Sequence, residues 1–487
     1  FRAQRSEVTV QNGGAPVEAR LWRPGRLGQT KVFFLRNLKS HLANRTYLLV
    51  TLLEPPLLAL VAALLSRGAW GGEYVFMENR NLGIFFFMSV IVALFLGLSV
   101  SAEEIHRDRR ILRRERFLHL SWPCYIASKA VYLALVMGVQ MACFAWIGNT
   151  ILQVPDMFWP MWAVLFSCAL AAGMMSLNIS ATFASAVTIY ILIPMLLVPQ
   201  MLLGGAVIPF DEIIGRESGN RHPPFVADLM PARWGFAALA VEQYVANRFR
   251  RPLLAYYLAV IQCDLMTDAF LPEVRGLADY PFIETEETGK ARQTIRKLAA
   301  LGHEIRHLEG NTGISPKRLS LDLLGPDRYS RETQLRVRQF VDAVEQFYRD
   351  RRAAAFDRRL AVEASRRQRL GRAGVDALKR AHYNKDIASL AMNMRASEVV
   401  RLSGERLVLL AAPICQPPES ALGGAPFMAA QKRAGSWTLP TFTFNLIVLW
   451  LMAGSLYAML YVAVFPRLAE ALSRRTSRPA RPLRRSP

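Results

Sequence analysis

"NLGIFFFMSVIVALFLGLSVSAEEIHRDRRILRRERF" occupies residues 81–117. Residues 83–102 carry no charge, and twenty residues at 1.5 Å each give a helix of about 30 Å, the thickness of a bilayer's hydrocarbon core. The run then passes directly into a charged helix. Its acids come first (Glu103, Glu104), and Arg109, Arg110, Arg113 and Arg114 recur at helical spacing. A membrane span feeding a charged surface helix predicts an all-α membrane protein.

Five more apolar runs of similar length lie at about 47–66, 130–152, 159–178, 184–208 and 444–465, within a chain of 487 residues that is 52% hydrophobic. Between the fifth and sixth spans stands a polar insertion, 209–440. The net charge of +22 would suggest nucleic acid in a soluble protein. Here the charge follows the spans instead, and no nucleic-acid partner is expected. Residues 1–46 hold nine Lys/Arg against two acids, 103–116 six against four, and the tail after Pro466 seven against one. The short loops 67–82 and 153–160 have no net positive charge. By the positive-inside rule both termini and 103–116 face the cytoplasm, and 209–440 is extracytoplasmic. The chain begins at Phe1 without an apolar leader, as the C-terminal part of a longer polypeptide would.

This gives a linker (1–28), an amphipathic helix at the interface (29–46), spans one to five (47–208), the extracytoplasmic domain (209–440), span six (441–466) and a basic cytoplasmic tail (467–487). A short link near "LNISATF" makes spans four and five a tight hairpin. Span five is irregular, with Pro194 and Pro199 inside and Gly204-Gly205 at its end. Span one carries Glu54 beside Pro55 and Pro56. An ionised carboxylate at a bilayer centre costs about 2.5–3.5 kcal/mol, so Glu54 should face protein, pair or be protonated. The prolines free carbonyls near Thr51 and Leu52 and favour a bend. In the insertion, Leu335, Phe340, Val344 and Phe347 or Tyr348 form a helical stripe, and 398–412 suggests a small β-hairpin around Ser403-Gly404.

Catalytic signals are sparse. "ETEETGKA" (284–291) lacks the earlier glycine and the following Ser/Thr of a P-loop, and the chain binds no cofactor by this reading. His303-Glu304-Ile305-Arg306-His307 has the H-E-x-x-H spacing of a zinc helix. A site would need a third ligand and a cleft, so a solvated helix is favoured and no metal is assigned; a membrane-anchored extracytoplasmic metalloenzyme using His303 and His307 is the alternative. A second alternative is a non-transporting envelope scaffold with a helical arm. Cys124, Cys143 and Cys168 read as apolar residues, whereas Cys263 and Cys415 share the exterior insertion, where a disulfide is permitted.

The order of elements, with "RDRRILRRERF", "SWPCYIASK", "GGAVIP", "LMPARWGFAALAVEQY" and "TFTFNLIVLWLMAGSLYAMLYV", resembles the membrane domain of ABC exporters of the ABC-2 type, most closely the G subfamily. Bacterial members of that group often carry a forkhead-associated domain and an ATPase domain ahead of this region. The resemblance implies a half-transporter that dimerises in the cytoplasmic membrane. Its ATPase partner, in the same full-length chain or a separate subunit, would hold ATP and Mg. Residues 29–44 would be the connecting helix and 103–117 the coupling helix, with Glu103, Glu104, Arg107, Arg109, Arg110, Arg113, Arg114 and Glu115 at the polar interface with the ATPase. Spans two and five would line a pathway for a lipid or other amphipathic substrate, with Phe85, Phe86, Phe87, Phe95, Pro194, Pro199, Leu202 and Leu203 as candidates.

Overall fold

A computed structural model describes residues 25–68, 73–115, 121–208, 210, 224–280, 290–316, 321–326, 328–394, 398–418 and 425–469. The linker before Gly25 and most of the basic tail lie outside these residues. The fold is almost wholly helical, with two small hairpins. The helices are α1 (Arg26–Ala43), α2 (Arg45–Arg67), α3 (Leu82–Ser101), α4 (Glu104–Glu115), α5 (Trp122–Leu152), α6 (Phe158–Thr182) and α7 (Ala186–Leu202). There follow α8 (Pro231–Val245), α9 (Leu254–Leu265), α10 (Leu271–Asp279), α11 (Lys290–Thr312), α12 (Arg331–His382), α13 (Lys385–Ala391) and α14 (Thr441–Val462).

Two hydrophobic cores divide the molecule. The first is the helical bundle, and α6 is its hub, packed on α3, α5, α8 and α14. Small residues permit the close approach that drives helix association where apolar burial gives little preference. A Cβ on Gly97 would lie 2.3 Å from the Ala169 carbonyl oxygen, so α3 and α6 touch backbone to backbone there. Side-chain hydrogen bonds add specificity. Ser176 Oγ donates to the Leu98 carbonyl (2.7 Å), and Asn178 Nδ2 donates to the Leu456 carbonyl of α14 (2.9 Å).

Pro55 and Pro56 do not interrupt α2, which runs from Arg45 to Arg67 with both inside it. The carbonyl that Pro55 deprives of its helical partner is that of Thr51, four residues back. Gln140 Nε2 of α5 donates to it at 3.0 Å. The neighbouring helix thus replaces the lost bond, as membrane helices with internal proline require. Glu54 is half-buried on the adjoining turn.

Six helices are long and apolar enough to cross a membrane: Arg45–Arg67, Leu82–Arg109, Trp122–Leu152, Phe158–Thr182, Leu254–Asp279 and Thr441–Val462. Five match runs read from the sequence. The fifth run yields instead the shorter α7, joined to α6 through Phe183–Ser185; at seventeen residues α7 is about 25 Å long. After Leu202 the chain leaves the helix, and Gly205 adopts φ +81° with Phe210 and Phe427 against it.

Leu254–Asp279 (α9, a π-helical turn at Met266–Phe270, and α10) belongs to the second core. It packs on α12 with α11 and β2 nearby. Asp264, Asp268, Glu273, Arg275 and Asp279 punctuate it, and Arg275 reaches Asp342 of α12 at 2.6 Å. Those charges and that packing make it part of a polar arm. The apolar face of α12 runs through Val337, Phe340, Val341, Val344 and Tyr348. Leu335, read from the sequence as part of this stripe, is exposed, and Val337 takes its place. At Gly371 (φ +69°) α12 changes direction.

The anticipated hairpin forms as β1 (Val400–Ser403) against β2 (Arg406–Leu409). A second, β3 (Gln431–Ala434) against β4 (Trp437–Pro440), leads into α14. Several parts of 209–440 pack in the bundle rather than the arm, Ile414 and Met428 among them. Helix α8 buries thirteen of its fifteen residues there. Helix α13 docks on α3, where Asp386 Oδ2 accepts the Gly83 N–H (2.9 Å) and caps the helix start.

Candidate functional site

The face of α1 turned inward carries Phe33, Asn37 and His41, one every four residues. An apolar–polar–polar stripe at that spacing needs polar partners on the helices it meets. They come from α4 and α5. Lys129 of α5 is 2% exposed, and its ammonium donates to Asn37 Oδ1 (2.8 Å), Glu104 Oε2 (2.6 Å) and Asp108 Oδ2 (2.9 Å). All three of its protons are thus engaged. Glu104 is 3% exposed. Its other oxygen meets His41 Nε2 at 3.1 Å and Arg107 at 3.4 Å. The Tyr125 hydroxyl donates to Asp108 Oδ2 (2.9 Å), and the His41 ring stacks on Tyr132 with centroids 4.7 Å apart. Two carboxylates, one ammonium and one guanidinium balance in charge, the condition under which a buried ionic cluster is tolerable.

A second set of bonds latches α4 to the end of α6. Ser180 Oγ accepts the amides of Ile105 (3.2 Å) and His106 (3.0 Å), two of the orphan donors at the start of α4. Arg109 returns the favour at the other helix end, donating to the carbonyls of Ala181 (2.7 Å) and Ser180 (3.2 Å). Glu103 lies beside Tyr190 of α7. Helix α4 is therefore bound to α1, α5 and α6 at one end of the bundle, and the residue before it touches α7.

The expected surface acid Glu104 faces inward, while Arg107 is 44% exposed. The side chains of Arg110, Arg113, Arg114 and Glu115 lie outside the described residues. Sequence reading passed over Asn37, His41, Asp108 and Lys129. The available signal was a lone lysine at the start of an apolar run, opposite two acids.

The pathway candidates divide. Phe85, Phe86 and Phe87 are buried within the chain; Phe85 and Phe86 stand 6.0 Å apart, and Phe87 meets Phe236 edge-on at 5.5 Å. Phe95, Pro199 and Leu203 are half-buried, and Pro194 and Leu202 are exposed. Cys263 and Cys415 are free thiols, the first in the core of the arm and the second packed against the bundle. Glu304 of the H-E-x-x-H sequence is 2% exposed and accepts the Leu407 N–H of β2 (2.9 Å), pinning the hairpin to α11. Among the described residues no three His, Cys, Asp or Glu side chains gather as metal ligands.

Residues 28–244, which hold the bundle helices α1 to α8 and the charged helix bound across one end, match the family model of ABC-2 type transporters. Over those residues, α1 to α8, the chain carries an ABC-2 type transporter membrane domain. It is similar to the ABC transporter ATP-binding/permease protein Rv1747 of Mycobacterium tuberculosis, at 27% identity over 158 residues. That match covers 30% of this chain and 17% of the relative's length.

Proposed function

We propose that this permease domain works as one half of a dimeric, ATP-driven exporter in the cytoplasmic membrane. The observation that carries the reading is α4: its inner face is tied to α1 and α5 through Lys129, and its first two turns to α6 through Ser180 and Arg109. That is the linkage a coupling helix needs to convert movement of an ATPase into movement of spans. The family implies an ATPase partner, which would hold ATP and Mg, and the printed name of the mycobacterial relative joins ATP binding and permease in one protein. In this reading α1, α4 and both termini are cytoplasmic. Helices α2, α3, α5, α6, α7 and α14 span, and the arm built on α9 to α12 is extracytoplasmic.

The substrate would be a lipid or another amphipathic molecule, because the exposed surface of α7 is almost wholly apolar, through Val187, Ile191, Met195, Val198 and Leu202. The test is lipid-stimulated ATP hydrolysis by the full-length protein in vesicles. Arg107→Glu combined with Arg109→Glu should abolish stimulation. Stimulation undiminished in that variant would overturn the coupling role of α4.

A further inference from the structure

Between α1, α2 and α5 lies an apolar cavity of about 170 Å³ that opens to the outside of the bundle. Leu38, Leu42, Leu52, Leu135, Val136 and Val139 are among the residues of its wall. Leu42, Leu52 and Leu135 are more than half exposed, so the wall continues into the outer surface of the bundle. A closed cavity of about 150 Å³ with a similar lining accepts benzene; this one would take a segment of about six carbons.

The surface facing the cavity is almost wholly apolar. His41, Tyr47, Thr51 and Gln140 also border the cavity. The Tyr47 hydroxyl is turned into the chain beside Tyr132 and Thr51, and Gln140 is 2% exposed, so neither offers polar surface to an occupant. Two residues before Tyr47, at the start of α2, stands the exposed Arg45; Lys39, also exposed, follows Leu38 on α1.

Exposed cations and an apolar wall thus share α1 and α2, the pairing that the phosphate and the acyl chain of one membrane phospholipid require. We propose that this cavity binds one anionic phospholipid of the adjoining leaflet, its phosphate held by Lys39 and Arg45 and its chain against Leu52 and Val139. The bound lipid would fill the angle between α1 and α2 beside His41, and so brace the helix that carries the Glu104–Lys129 cluster. It is distinct from cargo in the proposed pathway, since α3 and α7 do not border the cavity.

The test uses the full-length protein in phosphatidylcholine vesicles carrying a trace of lipid with a diazirine in its acyl chain, either phosphatidylglycerol or phosphatidylcholine. Labelled peptides are then mapped by mass spectrometry. Phosphatidylglycerol should label residues 48–55 and 135–143 severalfold more than phosphatidylcholine does. Arg45→Gln should reduce that labelling about fivefold, the value of one basic residue at an anionic surface. Val139→Trp should fill the cavity and abolish labelling there while labelling of α14 persists; should that variant misfold, the smaller Val139→Phe should lower it instead. Three results would each overturn the proposal: no labelling of these segments, equal labelling by both lipids, or Cys143–Cys143 cross-linking between two copies, which would make this face a subunit interface.

Discussion

Helices α4 and α12 look alike in sequence, each dense in arginine and acid, yet their charges do different work. On α4 the two acids Glu104 and Asp108 are turned into the bundle, where they converge on Lys129 and are 3% and 13% exposed. On α12 the pairs are peripheral. Arg336 meets Glu332 at 2.5 Å one turn away, and the acid is 75% exposed. Exposed helical pairs contribute about 0.3–0.5 kcal/mol, whereas removing one partner from a buried pair costs about 3–5 kcal/mol. The comparison teaches that charge density along a helix says little; what matters is whether neighbouring helices complete the shell around each charge.

The sharpest way to break that comparison is to remove its centre. Lys129→Met leaves Glu104 and Asp108 buried without their ammonium, and thermal unfolding should show a loss of about 3–5 kcal/mol. Combining it with Glu104→Gln should recover part of that loss, since the uncompensated charge is then gone. A Lys129→Met protein as stable as wild type would mean that the cluster is not buried as described.

Next in size is the latch. Ser180→Ala deprives the first amides of α4 of their acceptor and should cost about 1 kcal/mol, the usual value of a helix cap. Amide exchange at Ile105 and His106 should accelerate first, with α12 unaffected. Smaller again is Gln140→Leu, which abandons the Thr51 carbonyl freed by Pro55. Interhelical hydrogen bonds in membranes average about 0.6 kcal/mol, so a shift near that value, centred on α2, is expected in unfolding experiments.

The apolar spans were legible because a helix that must satisfy its backbone in lipid needs about twenty apolar residues, and composition alone reveals that. Helix α4 was legible by the same contrast, as charge directly after a span. Burial of α8 was not: at fifteen residues it is too short to be read as a span, and only tertiary packing shows that Arg233 and Trp234 lie inside the bundle. Lys129 was hidden for another reason. Its partners come from residues 37, 104 and 108, and no local pattern in α5 announces them. On α12, Leu335 rather than Val337 was read into the apolar stripe because both fit a helical period, and only the position of α10 decides between them.

The smallest effect belongs to the arm, and pH probes it. Arg275 donates to Glu345 at 2.5 Å and, with Arg349 nearby, holds that carboxyl below its ordinary range. A carboxylate whose folded pKa is depressed stabilises the fold above its unfolded value of about 4.3, and that contribution is lost as pH falls through the lower folded value. Amide exchange in residues 337–348 should therefore rise as pH drops below about 4, after correction for the intrinsic rate. Glu345→Gln should flatten that dependence and cost little at neutral pH, because the pair is close to solvent. The Lys129 cluster offers the opposite result in the same experiment. Burial would raise the Glu104 carboxyl, but its bonds to His41 and Lys129 outweigh that and hold it down to about 2, so α4 should hold its protection through the pH range in which the arm begins to loosen. Simultaneous loss of protection in both regions would show that one cooperative unit, rather than two cores of unequal electrostatic strength, governs the response to acid.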